Sequence, residues 1–133
     1  MSTLFYTNEM KSFNVPYHPN IAYRIDQLSQ ANGNRLNKTA LLKRALDLYF
    51  EDYQLGKVKP SKTIRRAENG KKPRYSASIE ATYWETFNQI TLALKNEVRT
   101  DSTQPKKAIT YTKSKVLEEI LEYWLEKEGY RYE

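Results

Sequence analysis

The sequence predicts a mainly α fold with a short two-stranded antiparallel ribbon, built from two tandem strand–helix–helix units in one chain of 133 residues. Three observations carry this prediction. A stretch of six residues alternating apolar with polar side chains occurs twice, at residues 12–17 and 74–79, as a strand with one buried face requires. Each stretch is followed by two segments with apolar residues at helical spacing. The two copies also align in order, at an offset of 62 through the strand and first helix and 75 through the second helix, so one insertion of 13 residues separates them.

In the first strand Phe13, Val15 and Tyr17 point inward and alternate with Ser12, Asn14 and Pro16. Asn20 opens the first helix, over residues 20–31, where Ile21, Ile25 and Leu28 share one face and Asn32-Gly33 supplies a left-handed stop. Asn37 caps the second helix, whose stripe of Leu41, Leu42, Ala45, Leu46 and Tyr49 runs to about Tyr53. Gly56, Pro60, Gly70 and Pro73 then punctuate a basic linker. The second strand repeats the pattern, with Tyr75, Ala77 and Ile79 inward and Arg74, Ser76 and Ser78 outward. Thr82-Tyr-Trp-Glu85 has capping-box spacing and opens a third helix, with Tyr83, Phe87 and Ile90 on one face, that continues to about Asn96. After a longer loop at residues 98–110, Thr112 caps the fourth helix, striped by Val116, Leu117, Ile120, Leu121 and Trp124 and ending near Lys127.

A lone strand leaves its backbone unpaired, and a two-stranded ribbon needs a layer to pack on. Two copies meet both needs, pairing their strands over four helices. The helical stripes are then mutual core, and the outer face of the ribbon is left as the functional surface. The organisation is an N-terminal arm (1–10), a first unit (11–53), a linker (54–73) and a second unit (74–133).

Composition narrows the function classes. No run approaches 18 apolar residues and no signal layout opens the chain, so a soluble, cytoplasmic protein without a membrane role is expected. Zero cysteines exclude disulfides and thiolate chemistry, and one histidine leaves little for metal binding or general acid–base work. The expectation is a binder without cofactor or metal rather than an enzyme. His18, beside Pro19, is read as shaping the strand-to-helix turn. The net charge of +6 is concentrated in residues 54–74, where eight basic side chains face Glu68 alone, a stretch that attracts polyanions. Glu118, Glu119, Glu122 and Glu126 form an acidic face on the last helix, expected to meet solvent or a neighbouring protein.

The run Ser12-Phe-Asn-Val-Pro-Tyr17, the Asn32-Gly33 turn and Asn37-Lys38-Thr39 opening the second helix resemble the ribbon–helix–helix (Arc/MetJ/CopG-type) DNA-binding family. The resemblance covers residues 11–53 and, more weakly, 73–127, so the chain is similar to two ribbon–helix–helix units fused as a pseudo-two-fold pair. It implies that double-stranded DNA is the partner, with the ribbon in the major groove and the second helices' N-termini on phosphate. Ser12, Asn14, Pro16, Arg74, Ser76 and Ser78 would then face bases, where Asn can pair with adenine, Arg with guanine and Ser with either. Pro16 departs from the family pattern, having neither a side-chain hydrogen bond nor a ladder N–H. Arg35, Asn37, Lys38, Thr39, Thr112, Lys113 and Ser114 would meet phosphate, where free N–H groups and the helix dipole favour an anion. Lys71, Lys72, Lys106 and Lys107 are further basic candidates.

The function implied is a sequence-specific transcriptional regulator, a nucleoid-associated prokaryotic or viral repressor that blocks polymerase sterically. Self-association on adjacent sites is compatible with it, and because the two strands differ the target need not be palindromic. The alternatives are an antitoxin or other protein-interaction module of a toxin–antitoxin pair, and a plasmid partition or copy-control protein.

Overall fold

The computed structural model describes residues 9–30, 37–58, 73–100 and 112–129. Two strands, β1 (Met10–Pro16) and β2 (Arg74–Glu80), pair antiparallel within the chain. Helices α1 (Pro19–Gln30) and α2 (Lys38–Gln54) follow β1, and α3 (Ala81–Thr100) and α4 (Lys113–Lys127) follow β2. The described residues are therefore mainly helical with one two-stranded antiparallel sheet.

In the register, Met10 lies opposite Glu80, Asn14 opposite Ser76 and Pro16 opposite Arg74. The ladder runs one step past both ends, since Tyr17 N–H donates to Pro73 O at 3.0 Å and Ala81 N–H to Glu9 O at 2.8 Å. Hydrogen-bonded and non-hydrogen-bonded pairs alternate in an antiparallel ladder. Counted inward from those two bonds, the odd-numbered residues of β1 bond to β2, and the even-numbered ones turn their backbone groups outward. Pro16 belongs to the second set, so its missing N–H removes no rung and the strand tolerates it.

Side chains follow the same parity. Phe13, Val15, Tyr17, Tyr75 and Ile79 are buried against the helices, with Ala77 half-buried among them. The rings lock edge to face, Phe13 on Phe87 at 5.1 Å and 83° and Phe13 on Tyr75 at 6.2 Å and 87°. Beneath lie Ile21, Ile25 and Leu28 of α1, Phe87, Ile90 and Leu94 of α3, and the full stripes of α2 and α4, all buried in one cluster. Helices α2 and α4 pack on each other, and each also touches the strand that precedes the other.

Local chemistry sets the helix ends. Asn37 Oδ1 accepts from Ala40 N–H at 2.8 Å and Thr112 Oγ1 from Lys115 N–H at 3.2 Å, the two caps expected. Helix α2 closes on Gly56 (φ +74°), where Gly56 N–H bonds Tyr53 O at 3.1 Å and Lys57 N–H bonds Asp52 O at 2.9 Å. That pair of bonds is a Schellman stop and needs the left-handed residue.

Three expected boundaries are corrected. Helix α1 starts at Pro19, not Asn20, with His18 as its cap: His18 Nδ1 accepts from Asn20 N–H at 3.1 Å, and Pro at the first helical position has no N–H to orphan. Helix α3 leaves the strand directly at Ala81, whose N–H is already held by Glu9 O, so Thr82 lies inside the first turn instead of capping it. The same helix runs to Thr100 instead of ending near residue 96, into the expected loop.

A fourth correction concerns the acidic face of α4. Glu118 and Glu119 are buried, together with Lys115, instead of meeting solvent or a partner. Lys115 Nζ lies 2.9 Å from Glu119 Oε1 one helical turn away, and Ser114 Oγ donates to Glu118 Oε2 at 3.4 Å. Burying a carboxylate without such partners is costly. Of the four, Glu126 is exposed and Glu122 half-buried.

The arm through residue 8, the Asn32-Gly33 stop, linker residues 59–72 and loop residues 101–111 lie outside the described residues. Among the described residues, no helix is long and apolar enough to cross a membrane.

Candidate functional site

Side-chain alternation with one face on the core leaves Ser12 and Asn14 of β1 and Arg74, Ser76 and Ser78 of β2 exposed together on the other face, with Pro16 half-buried at its end. All six expected groove-facing positions thus share one surface. Their pairs, Ser12 with Ser78, Asn14 with Ser76 and Pro16 with Arg74, are the non-hydrogen-bonded ones, in which opposing Cα atoms approach to about 4.5 Å. The result is a narrow polar strip of hydroxyls, one amide and one guanidinium.

Two of these groups are joined. Arg74 Nε donates to Asn14 Oδ1 at 2.6 Å, and an Arg74 Nη donates to the outward carbonyl of Asn14 at 3.3 Å. Guanidinium nitrogens only donate, so the Asn14 atom facing Arg74 must be the oxygen, and the amide NH₂ points away. At the opposite end of the strip, Glu80 Oε1 is held by Lys43 Nζ at 2.7 Å. That bond lowers the Glu80 carboxyl below its ordinary range, so the charge at this end is internally paired.

The N-termini of α2 and α4 are tied to the ribbon, one to each strand. Tyr75, on the inner face of β2, donates its hydroxyl to Lys38 O at 2.5 Å; burial first, and nearby Tyr17 and Asp26 second, hold that phenol far above its ordinary pKa. On the other side, Lys113 Nζ stands 5.2 Å from the centre of the Trp84 ring, and Trp84 Nε1–H donates to the outward carbonyl of Ser12 at 3.1 Å. Asn37, Thr112 and Lys113 are exposed, and Lys38, Thr39 and Ser114 are half-buried. The two lysines differ in their surroundings. Both make a cation–π contact, Lys38 with Tyr75 at 5.7 Å and Lys113 with Trp84 at 5.2 Å, and Lys38 Nζ also forms an ion pair with Asp26 at 2.8 Å.

Arg35, Lys71, Lys72, Lys106 and Lys107, named as phosphate or additional basic candidates, lie outside the described residues. Trp84, Lys43 and Asp26 escaped the sequence reading, because each reaches the site through a partner distant in the chain. Trp84 alone carried a signal, as a large aromatic at the entrance of α3 off the buried stripe. Among the described residues, no group of three or more His, Cys, Asp or Glu side chains converges as a metal site would. The strip offers neutral hydroxyls, an amide and a permanent cation: chemistry suited to hydrogen-bonded recognition.

Comparison of the chain with family models, with curated proteins and with solved structures gave no match.

Proposed function

We propose that this chain is a sequence-specific double-stranded DNA-binding regulator, a repressor, whose ribbon enters the major groove. One observation carries the reading. A two-stranded ribbon packs the apolar side chains of one face on the helices and turns a strip of five hydrogen-bonding side chains, Ser12, Asn14, Arg74, Ser76 and Ser78, to solvent. The major groove, about 12 Å wide, admits a two-stranded ribbon and presents donors and acceptors that such side chains match.

A pseudo-two-fold relation between the two units belongs to the same proposal, and the register supports it. The offset of 62 makes Asn14 and Ser76 counterparts, and these are the two residues that face each other at the centre of the strip. A rotation there carries Ser12 opposite Ser78 onto Arg74 opposite Pro16. It also exchanges the tie of α2 to β2 with that of α4 to β1. Two helix N-termini then flank the ribbon, where backbone N–H groups and Lys113 favour phosphate. Repression follows from occupancy, since a seated ribbon excludes polymerase from the operator.

The test is fluorescence anisotropy with duplex from upstream of the chain's own gene against scrambled duplex, at several salt concentrations. Preference for the native fragment that survives at physiological salt, and is lost in Arg74→Ala, supports the reading. Equal and steeply salt-dependent binding to both duplexes contradicts it, because a purely electrostatic association carries no sequence information.

A further inference from the structure

Resting on the reading of the ribbon as a groove binder, we infer that Arg74 and Asn14 act as one unit that reads a guanine on one side of the ribbon centre only, so that the element recognised is directional. The two bonds between them engage two of the five guanidinium N–H donors and hold its plane against β1. Bidentate recognition of guanine O6 and N7 needs two adjacent donors from a fixed fork, and the donors away from Asn14 supply them on an exposed side chain. Asn14, in turn, has its carbonyl turned to Arg74. Adenine recognition needs that oxygen and the NH₂ together, so Asn14 is a positioning residue for Arg74 and not an independent adenine reader.

Direction comes from what occupies the mirrored place. Pro16 opposite Arg74 lies on one side of the central Asn14–Ser76 pair, and Ser12 opposite Ser78 lies equally far on the other. The counterparts of Arg74 and Asn14 are Ser12 and Ser76, two short hydroxyls that cannot form a guanidinium fork. Further along that side, the Glu80 carboxylate is already paired with Lys43. A ribbon of two identical strands would read the same base on both sides. This one presents a guanidinium fork on one side of its centre and short hydroxyls on the other.

The experiment is selection of bound duplexes from a random library by the full chain, followed by anisotropy titrations of every single-base-pair change in the selected element. The expected element is non-palindromic, with one guanine whose replacement lowers affinity roughly 5- to 150-fold. Arg74→Ala and Arg74→Lys abolish that preference. Asn14→Ala weakens it at the same base pair and nowhere else. Asn14→Asp, which keeps an acceptor for Arg74 Nε, retains the preference while binding all sequences more weakly. Unchanged thermal unfolding of the Asn14 variants shows that the fold is not the cause. A palindromic element for one ribbon, or an Asn14→Ala loss at a separate adenine additive with Arg74→Ala, overturns the inference and leaves the DNA reading standing. Failure to enrich any sequence overturns the DNA reading and the inference with it.

Discussion

Phe13 and Ser12 are neighbours in the chain on opposite faces of β1, which makes them a direct probe of the two-faced ribbon. Phe13 is fully buried, with its ring centroid 5.1 Å from those of Trp84 and Phe87 and 6.2 Å from that of Tyr75. Truncating a core Phe to Ala costs about 3–5 kcal/mol. Edge-to-face pairs add about 0.5–1.5 kcal/mol beyond burial, so Phe13→Ala belongs in the upper half of that range. With a urea dependence of about 2 kcal/mol per molar for a small domain, the unfolding midpoint falls by about 2 M. Total stability of such a domain is about 5–15 kcal/mol, so Phe13→Leu is the safer partner variant, with an expected loss of about 1–2 kcal/mol. Ser12→Ala should stay within about 0.5 kcal/mol, because Trp84 bonds the carbonyl of Ser12 and not its hydroxyl. Urea unfolding followed by fluorescence of Trp84 and Trp124 measures all three. A Ser12→Ala loss larger than that of Phe13→Leu would refute the assignment of faces.

Three further outcomes are expected. Lys113→Ala should lower the salt dependence of DNA binding by about one charge, reducing the slope of log affinity against log salt by about 0.9, with base preference unchanged; an altered preference at one base pair would argue for base contact instead. Asn37→Ala should cost about 1 kcal/mol of stability, and Asn37→Asp, which keeps an acceptor for Ala40 N–H, should recover most of it in the same urea assay. The Lys43 bond depresses the Glu80 carboxyl, so its contribution is complete above the unfolded carboxyl value of about 4.3 and fades as pH falls through the lower folded value. Thermal unfolding of the parent chain and of Glu80→Gln should differ near neutrality and converge in acid; a gap that widens toward low pH would reverse the assigned sign.

What could be read from the sequence was what short-range chemistry decides. Alternation at residues 12–17 and 74–79 marked both strands and their buried faces, and the side chains of Asn37 and Thr112 marked two helix starts, because a cap bonds its own first turn. The stripes of α2 and α4 were legible for the same reason. The starts of α1 and α3 were not. One depends on an imidazole nitrogen of His18 acting as a cap, and the other on a ladder bond from Glu9 to Ala81 across the sheet. Glu118 and Glu119 were misread because a run of acids on a helical wheel says nothing of what packs over it. The site divided along the same line. Its six outward positions followed from parity, whereas the Arg74–Asn14 and Lys43–Glu80 links join residues far apart in sequence: the pairing register brings the first pair together, and the packing of α2 on the ribbon brings the second.

The outer face of the ribbon as the DNA-contacting surface is tested most directly by amide chemical-shift mapping, titrating the ¹⁵N-labelled chain with a duplex it prefers. The prediction is that the largest changes fall on Ser12, Asn14, Arg74, Ser76 and Ser78 and on the first turns of α2 and α4, with the inner-face residues moving little. Changes centred on α1 or on the exposed end of α4, with the ribbon amides unmoved, would contradict it.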